Sequence, residues 1–305
     1  MNKIGKFLGR EIGWILLKIF NLIVSRLSED KRCRLAKRLA NLLYLIPLKH
    51  KKIILDNLRF AFKEKSKEEI SKLAKSVYQN LTLSLFEMLT LSSSPRGYNQ
   101  AIEVLGLENL DQALLAGKGA VAISCHLGNF ALLGEKMASL GYPFTMVMRD
   151  PKDKRVADFF HKILDKQEVK VIPDRPITAC VRSCFASLKK REILYLMLDQ
   201  NVGEGGVFVN FFGREASTHT GPVVFSLKTG AAIIPMFIVR KNNHHQIIIE
   251  PEVKLGKFSN YEEDLSGNTA VLSEIIESFI RRYPEQWWWL HQRWKRQPEA
   301  PLAGR

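Results

Sequence analysis

From Ala101 onward short apolar runs alternate with stretches of helical spacing, and this alternation limits the fold more than any other feature of the 305-residue chain. Ala120–Ser124 (AVAIS) reads as a buried strand, and a helical pattern follows from Phe130 to Leu140. Phe144–Met148, Val169–Ile172 and Ile193–Leu198 read as three further strands, separated by helices over 156–167 and 179–190. Continuous apolar strands joined by helices argue for a largely parallel sheet covered on both faces. Val207–Phe212, Ala231–Val239 and Gln246–Glu250 add strands, the last two joined by a polar turn, so the sheet is expected to be mixed. A final helix is expected from Ser266 to Arg282. The expected fold class is therefore α/β, a single domain with helices flanking a mixed, largely parallel central sheet.

The first hundred residues have a different character. They hold 20 basic and 8 acidic residues, which places +12 of the net +15 in the first third of the chain. A block of this kind calls for a negative partner. Ile12–Val24 (IGWILLKIFNLIV) is an apolar run interrupted by Lys18 and flanked by Lys3, Lys6, Arg10 and Arg26. It falls short of the roughly 20 apolar residues of a spanning helix, and no small-residue cleavage site follows it. An amphipathic helix lying in the surface of an anionic membrane accounts for both its apolar content and its basic flanks. A core helix with one snorkelling Lys and a single-pass anchor are the alternatives. Helical spacing continues through Cys33–Leu48, Lys51–Phe62 and Ser66–Leu91, with Pro47 as a stop and Ser66 with Glu69 as a capping box. The expected organisation is a membrane-associating helix over 1–30 and a single domain over 31–305. That domain comprises a basic helical layer (31–95) and the α/β core (100–305). No recognition helix, zinc-finger spacing or RNA-binding signature accompanies the charge, so nucleic acid is not expected as a partner. Four cysteines without CxxC spacing exclude a disulfide scaffold, and no cluster has metal-ligand spacing.

Ligands of such sheets bind beyond the C-terminal strand ends, and those ends carry His126, Arg149 and Asp199. His126 directly follows a strand and precedes a helix start containing Gly128 and Asn129, whose free N–H groups could hold developing negative charge. Imidazole is suited to taking a proton from a hydroxyl near neutral pH; the alternative is a histidine that only hydrogen-bonds in the core. Arg149 and Arg182 could grip a phosphate or pair with Asp199. The glycines of GEGGVFVNFFG (Gly203, Gly205, Gly206) lead into a strand and lack the Lys-Ser/Thr of a P-loop. Thr218–Pro222 is expected to close over the site, and His244 and His245 to be solvated in a turn. Trp287, Trp288, Trp289 and Trp294, mixed with Arg293, Lys295 and Arg296, suit either a membrane interface or burial against the sheet.

SCHLGNF, LDQNVGEGGVFVNFFGREASTHTGP, SLKTGAAIIPMF, RRYPEQWWWLHQRWK and the early NLRFAF together resemble the bacterial lipid A acyltransferase family, within the lysophospholipid acyltransferase superfamily. The resemblance runs in order along nearly the whole chain. It implies transfer of a fatty acyl chain from a thioester on acyl carrier protein or coenzyme A to a hydroxyl of a lipid or glycolipid acceptor. It also implies a peripheral location on the cytoplasmic face of a bacterial inner membrane, and no cofactor beyond the thioester co-substrate. The family pattern is a histidine, four residues, then an acid that orients it. Here the histidine is His126 and the acid's position holds Ala131. Either another group orients His126, with Asp199 the first candidate and Glu135 a poorer one, or the chain keeps the fold as a weakened or inactive lipid-binding protein.

Overall fold

The computed structural model describes residues 3–47, 49–91, 102–203, 205–242 and 244–298. Seven strands form the central sheet: β1 (Ile102–Leu105), β2 (Ala120–Ser124), β3 (Phe144–Met148), β4 (Lys170–Pro173), β5 (Ile193–Met197), β8 (Ala232–Lys241) and β9 (His244–Ile249). Their order is β1-β9-β8-β2-β5-β3-β4, and every neighbouring pair is parallel except the β8–β9 hairpin. A second hairpin, β6 (Val207–Phe211) with β7 (Arg214–Thr218), stands apart from the sheet.

The period-two alternation of strand side chains divides the core in two. Val121, Ile123 and Leu194 point into a cluster completed by α3 (Lys49–Ala61), α4 (Lys67–Thr90), α8 (Ile177–Lys189), α9 (Gly221–Thr229) and α10 (Tyr261–Arg282). Ala120, Ala122, Ile193 and Tyr195 point to the other side, against α5 (Leu107–Leu115), α6 (Phe130–Ser139) and α7 (Lys154–Lys166). The Ser66–Glu69 capping box closes the start of α4 with both reciprocal hydrogen bonds.

The N-terminal helix α1 (Lys3–Arg26) is longer than its apolar run. No helix among the described residues is long and apolar enough to cross a membrane. One side of α1 packs inward: Val24 is buried, Phe20 meets Phe86 of α4 edge-on, and Trp14 meets Phe159 of α7. The other side leaves Ile12, Ile15, Leu16, Ile19, Leu22 and Ile23 exposed. That spacing is one continuous stripe of a helix. The next helix, α2 (Glu29–Leu45), adds exposed Leu42 and Leu45.

Glu135 on α6 is 2% exposed, and neither carboxylate oxygen has a hydrogen-bond partner. Burial raises its pKa to about 7, against only partial opposition from Lys136. In the unfolded chain the group releases its proton near 4.5. Between these values the folded state binds the extra proton, so stability is full below the lower value and falls as pH rises through the higher one, by up to about 3 kcal/mol. Glu135→Gln should remove this slope from thermal midpoints recorded between acid and neutral pH; a slope unchanged from the parent protein would refute the assignment.

Candidate active site

Strand register brings the site together. Ser124 of β2 lies opposite Met197 of β5, so His126 and Asp199, each two residues further on, leave adjacent parallel strands side by side. Asp199 Oδ1 lies 2.9 Å from His126 Nδ1, and Oδ2 accepts the His126 backbone N–H at 2.9 Å. The Trp287 indole N–H also donates to Oδ2, at 2.6 Å. Burial alone would raise the Asp199 pKa; attraction to His126 and these three hydrogen bonds outweigh it and bring the carboxyl down to about 2. In the neutral form of the ring, an ionised Asp199 holds the proton on Nδ1 and leaves the Nε2 lone pair facing outward. The imidazole is 16% exposed and flanked by Phe130 and Trp288, each 5.4 Å away between ring centroids. The Gln200 amide nitrogen lies 3.1 Å from Nε2.

The same register places Arg149 and Asp174 beyond β3 and β4, where Arg149 Nε and Nη2 both meet Asp174 Oδ2 at 2.7 Å. Arg149 therefore does not pair with Asp199, which is occupied by His126 and Trp287. Arg182 lies exposed on α8 and does not reach Asp199 either. The pKa of His291 is lowered by its own burial and by repulsion from His126, Arg293 and Arg149, partly offset by Asp199. That of His219 is lowered by desolvation, then by Arg293 and Arg149.

The turn that carries His126 is anchored from three directions. Gly128 adopts φ +60°, and a Cβ there would lie 2.3 Å from the Ile238 carbonyl oxygen, so only glycine fits. Its N–H donates to the Gln286 carbonyl and its carbonyl accepts from Ser84. Asn129 is buried and donates to the Ser84 carbonyl and to Glu87. These two residues therefore hold the turn in place. The Gly128 N–H is engaged by Gln286 and the Asn129 side chain is turned inward to Ser84 and Glu87, so neither of these two groups faces the crevice. Glu87 in turn pairs with Arg240 and His245. Burial alone would raise the Glu87 pKa, but those two neighbours lower it well below the usual carboxylate range. His245 is 3% exposed, not solvated as its polar turn suggested, because Glu87 recruits it from across the fold.

The C-terminal tryptophans are largely internal. Trp287 and Trp289 are fully buried and Trp294 nearly so, which settles them as core rather than membrane-interface residues. Asn57 of α3 donates to the carbonyls of Trp289 and His291, which explains the early NLRFAF motif as a clamp on the C-terminal segment. Arg293 is wholly buried and donates to Ser217, Thr218 and the Gln200 carbonyl. Burial lowers its pKa to about 10, partly offset by Asp199.

Ala131 is 4% exposed within the α6 side of the core, and Glu135 makes no bond to His126. Sequence reasoning missed Gln200, Trp287 and Glu87. Gln200 directly follows the candidate acid, and Glu87 is a lone carboxylate in the apolar run LSLFEML, a signal that could have drawn attention. Among the described residues, no three His, Cys, Asp or Glu side chains group as metal ligands do.

A sequence model described as bacterial lipid A biosynthesis acyltransferase matches residues 6–296. The lipid A biosynthesis palmitoleoyltransferase of Escherichia coli K12 is 28% identical over 79% of this chain and 78% of its own. The lauroyltransferase of the same organism is 26% identical over 96% of this chain and 92% of its own. A phosphatidylinositol mannoside acyltransferase of Mycolicibacterium smegmatis is 26% identical over 64% of this chain and 63% of its own. With its family pattern matched from Lys6 to Arg296 around the His126 crevice, the chain belongs to the bacterial lipid A biosynthesis acyltransferase family.

Proposed function

We propose that the protein moves a fatty acyl chain from a thioester, carried by acyl carrier protein or coenzyme A, to a hydroxyl of a lipid A precursor or related glycolipid. The observation that carries this reading is the outward Nε2 of an imidazole whose Nδ1 is held by a buried, ionised Asp199. Nε2 takes the hydroxyl proton as the oxygen attacks the thioester carbonyl carbon. The tetrahedral intermediate then collapses, the carbon–sulfur bond breaks, and the imidazolium returns the proton to the thiolate. Asp199 stabilises the imidazolium during the reaction, as the third member of a hydrolase triad does, while the acceptor hydroxyl stands where that triad's serine would. Arg149 and Arg182, both exposed, suit an acceptor that carries phosphate.

The exposed α1 stripe enters the surface of an anionic membrane, with the basic N-terminal third facing the headgroups and available to an acidic carrier protein. In this reading the enzyme works peripherally, at the cytoplasmic face of the inner membrane.

The test is incubation of the purified protein in mixed lipid vesicles with acyl carrier protein or coenzyme A thioesters and candidate acceptors, with intact lipids read by mass spectrometry. An acceptor heavier by one acyl group supports the reading; no product from any pair refutes it. Ala131→Glu belongs in the same assay. With Nδ1 already engaged, a carboxylate at this buried position should give no gain in transfer. It should lower stability by a few kcal/mol, about the cost of an unpaired buried charge after relaxation. A large gain would show that Asp199 does not replace the missing acid.

A further inference from the structure

We propose that Gln200 occupies, on His126, the place of the acceptor hydroxyl, and so keeps water from being deprotonated there until an acceptor displaces the amide. The inference rests on His126 acting as the base. With its Nδ1 proton committed to Asp199, the neutral ring can only accept at Nε2, so the group 3.1 Å away is the Gln200 amide N–H acting as donor. That donor stands where a hydroxyl must stand to lose its proton. Phe130 and Trp288 cover the apolar flanks of the ring, which leaves this polar edge as the approach.

The amide is carried on a fixed base. Asp199, the preceding residue, accepts three hydrogen bonds. The Gln200 carbonyl accepts from Arg293 at 3.3 Å, and Arg293 is wholly buried and also held by Ser217 and Thr218. The Gln200 side chain is only half-buried, so it can swing aside without the backbone moving. A bound lipid acceptor offsets the lost hydrogen bond with its other contacts, whereas a single water has little to offset it. When water does enter, it gives one proton to Nε2 and its oxygen bonds the carbonyl carbon. The carbon–sulfur bond then breaks, the imidazolium returns the proton to the thiolate, and a free fatty acid and thiol leave.

The experiment uses Gln200→Ala, with Gln200→Met as a second variant of similar length without a donor. Free fatty acid formed without acceptor and acylated acceptor formed with it are both measured. The ratio of hydrolysis to transfer should rise about fivefold, the equivalent of one neutral hydrogen bond. A ratio equal to that of the parent protein overturns the proposal. Two controls separate this failure from failure of the base assignment. In Gln200→Ala combined with His126→Ala, the added hydrolysis should vanish; its persistence would overturn the gating role. The Nε2 nitrogen resonance of His126, recorded without any substrate, should move when the amide is removed. An unmoved resonance denies the contact itself, whatever the activity shows.

Discussion

Asp199→Asn should lower acyl transfer by about four orders of magnitude while leaving the fold intact. The size follows from the hydrogen-bond arithmetic around one side chain. Two donors, the His126 backbone N–H and the Trp287 indole N–H, converge on Oδ2, and the imidazole meets Oδ1. Asn has one oxygen and one amide nitrogen, and the two converging donors require the oxygen. The amide NH2 then faces Nδ1, which must give up its proton and accept. The ring is left with its proton on Nε2, where the hydroxyl proton should go. The variant should melt within a few degrees of the parent protein and show the exchanged ring tautomer by nitrogen NMR. Transfer close to the parent rate would mean that Asp199 only supports the turn. The carboxyl titrates near 2, so the acid limb of the rate profile above that pH should not be set by Asp199.

Much of this arrangement could be read from the sequence, for identifiable physical reasons. Ala120–Ser124 and Phe144–Met148 form strands over the expected residues because they are short apolar runs, buried on both faces and bounded by turns. Parallel strands deliver their following residues to one edge, so His126, Asp199 and Arg149 could be placed together before any contact was known. Elements whose formation depends on distant partners were harder to see. Arg214–Thr218 is too polar to resemble a strand and exists because it pairs with Val207–Phe211. Leu107–Leu115 is short, and its helix start is a left-handed glycine, Gly106, without a side-chain cap. His245 sits in a stretch that looks solvated, yet Glu87, far away in sequence, draws it into the interior. Gly128 and Asn129 can be read from the sequence as a helix start, but not as the anchor of the turn. Local sequence shows a helix start, whereas only the tertiary structure shows that Gln286, Ser84 and Glu87 already hold these groups. Ala131 made catalysis look doubtful because the family pattern is local, while the carboxylate that meets the histidine comes from the neighbouring strand.

His126→Ala should remove about four orders of magnitude of transfer, the upper range for a positioned general base, because among the described residues no other imidazole has its Nδ1 fixed on a buried carboxylate at the strand ends. The side chain contributes little to the core, since the backbone of the turn donates to the Asp199 carboxylate and the Gln286 carbonyl and accepts from the Trp288 N–H, so the variant should remain folded. The decisive measurement is the mass-resolved yield of acylated lipid acceptor from parent and His126→Ala proteins, purified alike and given the same acyl thioester. Product from the parent and none above the enzyme-free background from the variant is the predicted result; equal product from both would contradict the account.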